Sequence, residues 1–110
     1  MNLQPSPMAL IKSGKKTIEL RLYDEKRRNV KIGDTIKFIS TENPNDIISG
    51  LVENLFIFKS FAELYENLPL MECGYIEEDI DTASPEDMNL YYSKEKQSKY
   101  GVVGIKIKLL

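Results

Sequence analysis

Two lysines, a hydroxyl, a carboxylate and a guanidinium lie within eight residues near the amino terminus of this chain. From Thr17 onward the segment alternates between polar and apolar residues, as a half-buried β-strand does. Because successive strand side chains point to opposite faces, Glu19 and Arg21 are predicted to project side by side, with Thr17 beside them. Lys16 is out of phase with this set. It can join the cluster only if the strand begins after it and Gly14 bends the entry.

This cluster is capable of several kinds of chemistry. A carboxylate held between cations, as Glu19 would be, stays ionised and can accept a proton or a base N–H. Lys16 and Arg21 can hold a phosphate or carbonyl oxygen. A lysine could also activate a hydroxyl of Thr17 or Ser93 as a nucleophile. The alternative is a solvated strand face whose ion pair contributes about 0–1 kcal/mol, and the local pattern by itself favours that alternative.

A second group of candidate residues lies near the carboxyl terminus, where a lysine-rich stretch is bracketed by tyrosines and is predicted to be a loop. Aromatic rings stack on unpaired bases and lysines attract the backbone, so such a loop is suited to single-stranded RNA. Alternatively, the tyrosines cover the edge of a small core and the lysines keep the loop soluble. The residues concerned are Tyr91, Tyr92, Ser93, Lys94, Lys96, Lys99 and Tyr100.

The composition restricts the classes of site. The chain has 110 residues, the usual size of one domain, and contains no histidine, which excludes Ser-His and Cys-His dyads and most zinc sites. Cys73 is the only cysteine, so an internal disulfide is impossible and a cytoplasmic location is expected. No signal peptide or membrane span is recognisable. The acidic cluster at 77–81 lacks the spacing of a calcium loop, and neither a metal nor a cofactor is predicted.

Charge is unevenly distributed along the chain. Residues 1–40 carry nine basic and four acidic side chains, residues 41–90 carry one and twelve, and residues 91–110 carry five and one. If the two basic ends meet in the fold, one side of the molecule is positive and attracts anions such as nucleic acid. Ordinary solvated surface is the alternative interpretation. The acidic face at 72–87 also leaves open a protein-interaction module.

Turn signals and apolar alternation predict an α+β chain with five or so strands and two or three short helices, closing as a small mixed barrel. Longer strands are predicted at about residues 16–22, 35–40, 47–59 and 100–109, after an extended segment in which Pro5 and Pro7 forbid a helix. Helices are predicted at 7–12, 61–67 and 85–92, and charged loops at 23–29 and 91–101. The last strand must pair with strands already formed, so the basic ends are expected to meet.

Several ordered motifs resemble the ASCH domain, a module of the PUA-like superfamily, and they extend over most of residues 1–110. The signature is Gly14-x-Lys16-x-x-Glu19-x-Arg21. The similarity continues through Ile32-Gly33-Asp34-x-Ile36-x-Phe38, the Ser60-Phe61 helix start, Tyr91-Tyr92-Ser93 and Lys99-Tyr100-Gly101-Val102-Val103-Gly104-Ile105. The chain is accordingly predicted to be one ASCH domain.

The resemblance implies a small PUA-like β-barrel of about five to six strands with two or three short flanking helices, and a cleft beside the barrel. Lys16, Glu19 and Arg21 would line that cleft, and RNA or a nucleotide-like small molecule would be the partner. The expected ligand-binding residues are Lys15, Lys16, Thr17, Glu19 and Arg21 on one side and Tyr92, Ser93, Lys99 and Tyr100 on the other.

The resemblance also offers a hydrolytic alternative. Some small ASCH-like proteins resemble amidohydrolases that remove the acetyl group from 4-acetylcytidine with a lysine, a threonine and a distant glutamate. Lys16 matches the lysine, but Glu19 stands where the threonine is expected. A hydrolase acting on a modified nucleoside or RNA here would use Glu19 as a general base on water, with Lys16 or Arg21 stabilising the oxyanion. The resemblance is compatible with both binding and hydrolysis.

Overall fold

A five-stranded sheet forms the framework of the protein, whose computed structural model describes residues 1–110. The strands are β1 (Asn2–Leu3), β2 (Ile18–Leu22), β3 (Thr35–Ser40), β4 (Ile47–Phe58) and β5 (Val102–Leu109), in the spatial order β1-β3-β4-β5-β2. β1 runs parallel to β3, and the other neighbours are antiparallel. The sheet curls into a half-barrel, which confirms the predicted α+β, PUA-like architecture.

Short helices connect and flank the strands. They are α1 (Pro5–Lys12), α2 (Glu25–Arg28), α3 (Phe61–Asn67) and α4 (Lys94–Tyr100), with two 3-10 helices at Glu77–Thr82 and Pro85–Leu90. The prediction for α3 is confirmed residue for residue, because Ser60 supplies a clear cap and accepts the Glu63 N–H at 3.2 Å. None of the helices combines the length and apolar character needed to cross a bilayer.

Three local predictions are wrong. Pro5 and Pro7 do not prevent a helix, since α1 begins at Pro5. The N–H groups of a first helical turn have no intrahelical acceptor, so a proline there gives up no hydrogen bond. The loop at 23–29 contains α2, which Asp24 caps through the Arg27 N–H. The predicted loop at 91–101 contains α4, which starts at a Ser93 cap and ends at Gly101, where φ is +71°.

Two apolar cores cover opposite faces of the sheet around β2 and β5. The inner core holds Leu3, Met8, Ile11, Ile36, Phe38, Val52, Val103, Ile105 and Ile107. The outer core holds Ile18, Leu20, Leu22, Phe61, Leu64, Cys73 and Val102. In the β2–β5 register Glu19 is opposite Ile105 and Arg21 is opposite Val103, so both charged side chains lie on the inner face, as alternation predicts.

The two basic ends of the chain meet, as predicted. β2 pairs over its whole length with residues 102–106 of β5. Arg28, in α2, donates from Nη2 to the carbonyl of Tyr100, the last residue of α4, at 3.2 Å. The carboxyl end of α4 therefore lies beside α2. The exposed cations of these two helices include Lys26, Arg28, Lys96 and Lys99, which are here called the surface formed by α2 and α4.

Candidate ligand-binding cleft

The cleft lies where the two free edges of the curled sheet approach each other. β1 and β2 are the outermost strands in the sheet order, yet Arg21 Nη2 on β2 donates to the Asn2 carbonyl on β1 at 2.9 Å. Beside this junction is a cavity of about 590 Å³, lined by residues of both strands and by the chain after α3. A single side chain therefore closes the sheet at the edge of the cleft.

Three charged side chains form a buried ionic triad at the floor of the cleft. Lys16 Nζ lies 2.8 Å from Glu19 Oε1, and Arg21 Nη2 lies 3.2 Å from Glu19 Oε2. The backbone N–H of Leu20 also donates to Glu19 Oε1 at 3.2 Å. Lys16 is 8% exposed and Glu19 is 4% exposed. Both carboxylate oxygens are thus engaged, and the triad carries one net positive charge.

The backbone before β2 explains how Lys16 reaches Glu19. The N–H groups of Lys15 and Lys16 both donate to the Leu10 carbonyl at 3.1 Å, which folds the chain back on α1 after Gly14. β2 begins only at Ile18, so Lys16 lies outside the strand. The alternation that would place Lys16 and Glu19 on opposite faces therefore does not apply to Lys16. The condition set out from the sequence, a bend at Gly14 and a strand starting after Lys16, is met.

The segment after α3 covers the lysine. Gly74 has φ +112°, and a Cβ atom there would lie 3.2 Å from Lys16 Cδ. Cys73, next to it, is buried, and burial raises the pKa of its thiol to about 12. Cys73 is therefore a thiol that packs beside the triad, and a reactive thiolate is not favoured there.

Replacing Gly74 by alanine should destabilise the protein by about 1–3 kcal/mol, because the backbone is left-handed there and the added methyl group would press on Lys16. Chemical unfolding followed by circular dichroism measures the change. Gly33→Ala is the matched control, since its φ is +95° but no atom lies within 4 Å of the added methyl. Equal losses in the two variants would mean that the contact with Lys16 contributes nothing.

A chain of aromatic rings forms the wall of the cleft. Tyr92 stacks on Phe61 with ring centroids 6.2 Å apart, Phe61 meets the edge of Tyr65 at 6.5 Å, and Tyr65 meets Tyr75 at 5.8 Å. Phe61 is buried and holds the two neighbouring tyrosines from behind. The wall therefore runs from Tyr92, beside Arg21, to Tyr75.

The hydroxyl groups on this wall stay protonated. Burial raises the pKa of Tyr92, with the Arg21 guanidinium acting in the opposite direction and Glu19 adding to the rise. Burial also raises the pKa of Tyr65 and of Tyr75, and the Tyr75 hydroxyl donates to Asp87 Oδ2 at 2.7 Å. These groups therefore serve as hydrogen-bond donors and stacking surfaces at neutral pH.

Carboxylates outnumber cations among the side chains that line the cleft. Lys16 and Arg21 are the lining cations, whereas Glu19, Asp79 and Asp87 are the lining carboxylates. Both cations come from the segment at and just before β2, whereas Asp79 and Asp87 come from the two 3-10 helices.

The structure brings some of the sequence-predicted site residues together and separates others. Lys16, Glu19, Arg21 and Tyr92 line the cleft. Thr17 does not, because the strand begins after it and its hydroxyl donates to Glu72 Oε1 at 2.8 Å, beside a second, smaller pocket.

The remaining predicted residues also lie outside the lining of the cleft. Lys15 is exposed, and Ser93 caps α4 by accepting the Lys96 N–H at 3.2 Å. Lys99 lies over the Tyr100 ring, with Nζ 5.1 Å from the ring centroid. Tyr100 packs against the outer core. Of these four residues, only Lys99 belongs to the surface formed by α2 and α4.

Sequence reasoning did not find three polar residues of the wall, Tyr65, Tyr75 and Asp87. They come from α3, from the turn that follows it and from the second 3-10 helix. The starts of α3 and of that last helix had sequence signals, the Ser60 cap and the Ser84-Pro85 cap, but nothing in the sequence predicted that the three side chains meet. Their association depends on long-range packing that periodicity does not encode.

Comparison with known proteins identifies relatives over the whole chain. A family model, described as the ASCH domain, matches residues 1–110. The crystal structure of a hypothetical protein, PH0355, is 34% identical with a TM-score of 0.80, covering 100% of this chain and 96% of that one. The solution structure of PF0455 from Pyrococcus furiosus is 37% identical with a TM-score of 0.67, covering 100% and 94%. No curated protein matches the chain.

Proposed function

The chain belongs to the ASCH domain family, whose members are generally thought to bind RNA, and from this premise we propose that the cleft binds a nucleotide unit, either within RNA or free. The observation that carries the proposal is the buried triad, in which Glu19 holds Lys16 and Arg21 at one end of the cavity. A fixed guanidinium beside a fixed ammonium is suited to a phosphate or carbonyl oxygen.

Several donors of the triad are not used within the protein. Lys16 Nζ has three donor hydrogens and bonds only to Glu19 within the protein. Arg21 uses Nη2 for Asn2 and Glu19, which leaves its other nitrogens for a ligand. Because the triad has a net charge of +1, a single anionic group neutralises it.

The aromatic wall supports a base next to that anion. Tyr92 is half-buried on the wall beside Arg21, and Tyr91 at the rim is 64% exposed. Stacking of a base on a tyrosine contributes about 1–3 kcal/mol and tolerates different bases. A base stacked here would have its phosphate near the Arg21 guanidinium.

The surface formed by α2 and α4 supports a longer RNA rather than an isolated nucleotide. Its exposed cations, Lys26, Arg28, Lys96 and Lys99, would attract further phosphates without reading sequence. We place RNA binding in the cytoplasm, in keeping with a chain that has a single cysteine.

Binding is favoured over hydrolysis by the state of Glu19. A general base needs a lone pair directed at water, and Glu19 already accepts three hydrogen bonds, two at Oε1 from Lys16 and the Leu20 N–H and one at Oε2 from Arg21. The nearby hydroxyls of Thr17 and Ser93 bond to Glu72 and to the start of α4. Neither hydroxyl lines the cleft, so neither is placed to attack a ligand bound there.

Arg21→Ala should weaken the binding of single-stranded RNA about tenfold or more, because it removes hydrogen bonds to a charged group. Fluorescence polarisation of a labelled RNA of about eight nucleotides measures the affinity, at about 50 and about 200 mM salt. Arg21→Lys keeps the charge but loses the planar guanidinium. Its RNA affinity should therefore fall less than that of Arg21→Ala but remain measurably below that of the native protein. Lys59→Ala, at an exposed lysine outside the cleft, is the control and should have little effect.

The same proteins also test the hydrolytic alternative. Incubation with 4-acetylcytidine, followed by mass spectrometry, detects a deacetylated product. RNA binding that weakens with salt and with Arg21→Ala, without product, supports the binding function. Equal RNA affinity of the native protein and Arg21→Ala overturns the cleft as the site. Product that forms with the native protein and disappears with Glu19→Gln establishes a hydrolase instead.

A further inference from the structure

We propose that Asp87, held in place by Tyr75, is an acceptor subsite that selects a nucleobase with an exocyclic amino group over one with a carbonyl at that position. The inference rests on the proposed function and specifies which nucleotides the cleft prefers. Cytosine and uracil provide the simplest distinction, since they differ in this group and have the same ring size.

The first support is the hydrogen bonding of the carboxylate. Asp87 Oδ2 accepts the Tyr75 hydroxyl at 2.7 Å and the Ser84 N–H at 3.1 Å. Its second oxygen, Oδ1, has no hydrogen-bond partner within the protein. An ionised carboxylate only accepts hydrogen bonds, so this oxygen favours an N–H donor and repels a carbonyl oxygen.

The second support is the rigidity of the group. Asp87 and Ser84 form a reciprocal capping box at the start of the second 3-10 helix, which fixes the Asp87 side chain to its own backbone. Tyr75 is fixed in turn, because its hydroxyl lies 2.7 Å from that of Tyr65. A carboxylate held in this way needs little reordering when a ligand binds.

The third support is the mixed lining of the cleft. A chain of ring contacts links Tyr75, bonded to Asp87, through Tyr65 and the buried Phe61 to Tyr92, which lies beside Arg21. The cavity is lined by the Asp87 acceptor, by two cations and by tyrosine rings. An aromatic ring that carries both an N–H donor and an anion matches this lining, as an amino-substituted nucleotide does.

The test compares cytidine monophosphate with uridine monophosphate by isothermal titration calorimetry, with oligocytidine and oligouridine as a second pair of probes. The native protein should bind the cytidine compound about tenfold more tightly. Asp87→Asn should reduce this preference to about twofold or less, because an amide both donates and accepts. Tyr75→Phe should reduce it partly, since the carboxylate loses one of its two fixed partners.

The control removes a negative charge from the same 3-10 helix without touching the cleft. Glu86 is next to Asp87, is exposed and does not line the cavity, so Glu86→Gln should leave the ratio of the two affinities unchanged. A preference that persists in Asp87→Asn overturns the subsite. So does equal affinity for the two bases in the native protein. If both compounds then lose affinity in Arg21→Ala, the proposed function still stands. No binding of any of these probes overturns both proposals.

Discussion

Glu19→Gln should lower the free energy of unfolding by about 3–5 kcal/mol, because it leaves two cations without their counterion in a mostly buried site. Lys16 is 8% exposed and the Arg21 side chain is 16% exposed, so water cannot fully replace the lost carboxylate. Urea unfolding at neutral pH, followed by circular dichroism, measures the change.

Two further variants separate the lost ion pair from other effects. Glu66→Gln removes the same charge from an exposed site on α3 and should change stability by less than about 0.5 kcal/mol. The double variant Lys16→Met/Glu19→Gln should be more stable than Glu19→Gln alone, because it removes one of the two cations that the single variant leaves without a counterion. If Glu19→Gln unfolds at the same urea concentration as Glu66→Gln, the triad does not stabilise the fold.

Phe61→Ala should cost about 3–5 kcal/mol, as expected for deleting a fully buried aromatic ring. Phe61 is 1% exposed and contributes to the outer core as well as to the rings behind the cleft. The cavity left behind would also remove the support of Tyr92 and Tyr65, so RNA affinity should fall in protein that is still folded.

Thermal and urea unfolding measure the stability of this variant, and polarisation under folding conditions measures its RNA affinity. Phe61→Leu keeps most of the apolar contact and should lose clearly less stability than alanine. Ile57→Ala, at a position that is 51% exposed on β4, is the surface comparison. A Phe61→Ala loss no larger than that of Ile57→Ala would show that the ring does not support the core.

Helices and strands were predictable where a local signal, such as a cap or a turn residue, coincided with an apolar pattern that marks a buried face. β3 (Thr35–Ser40) has the alternation of a strand with one buried face, and α3 has both a cap and an apolar stripe, so their bounds are as predicted. α4 lacks an apolar stripe and has no buried residue. Only its Ser93 cap and Gly101 end define it, and these signals are also common in loops.

In the candidate site too, residues that share one strand were predictable and residues joined by long-range contacts were not. Alternation alone places Glu19 and Arg21 on one face, because both lie within β2. It misplaces Thr17, because the N–H groups of Thr17 and Ile18 both bond to the Glu72 carbonyl, far away in the sequence. Asp87 and Tyr75 meet through a turn and a 3-10 helix, whose course depends on packing against α3 rather than on a local pattern.

Arg21 Nη2 bonds at once to the carbonyl of Asn2 and to Glu19, so the side chain whose other nitrogens are proposed to meet the ligand also joins the two edges of the sheet. Sheet closure and the proposed recognition therefore depend on one guanidinium group. By linkage, the free energy by which a bound ligand strengthens or weakens the join between β1 and β2 equals the free energy by which that join strengthens or weakens ligand binding. The two-residue first strand is, in this sense, a partner in the proposed site although it supplies only a backbone carbonyl to it.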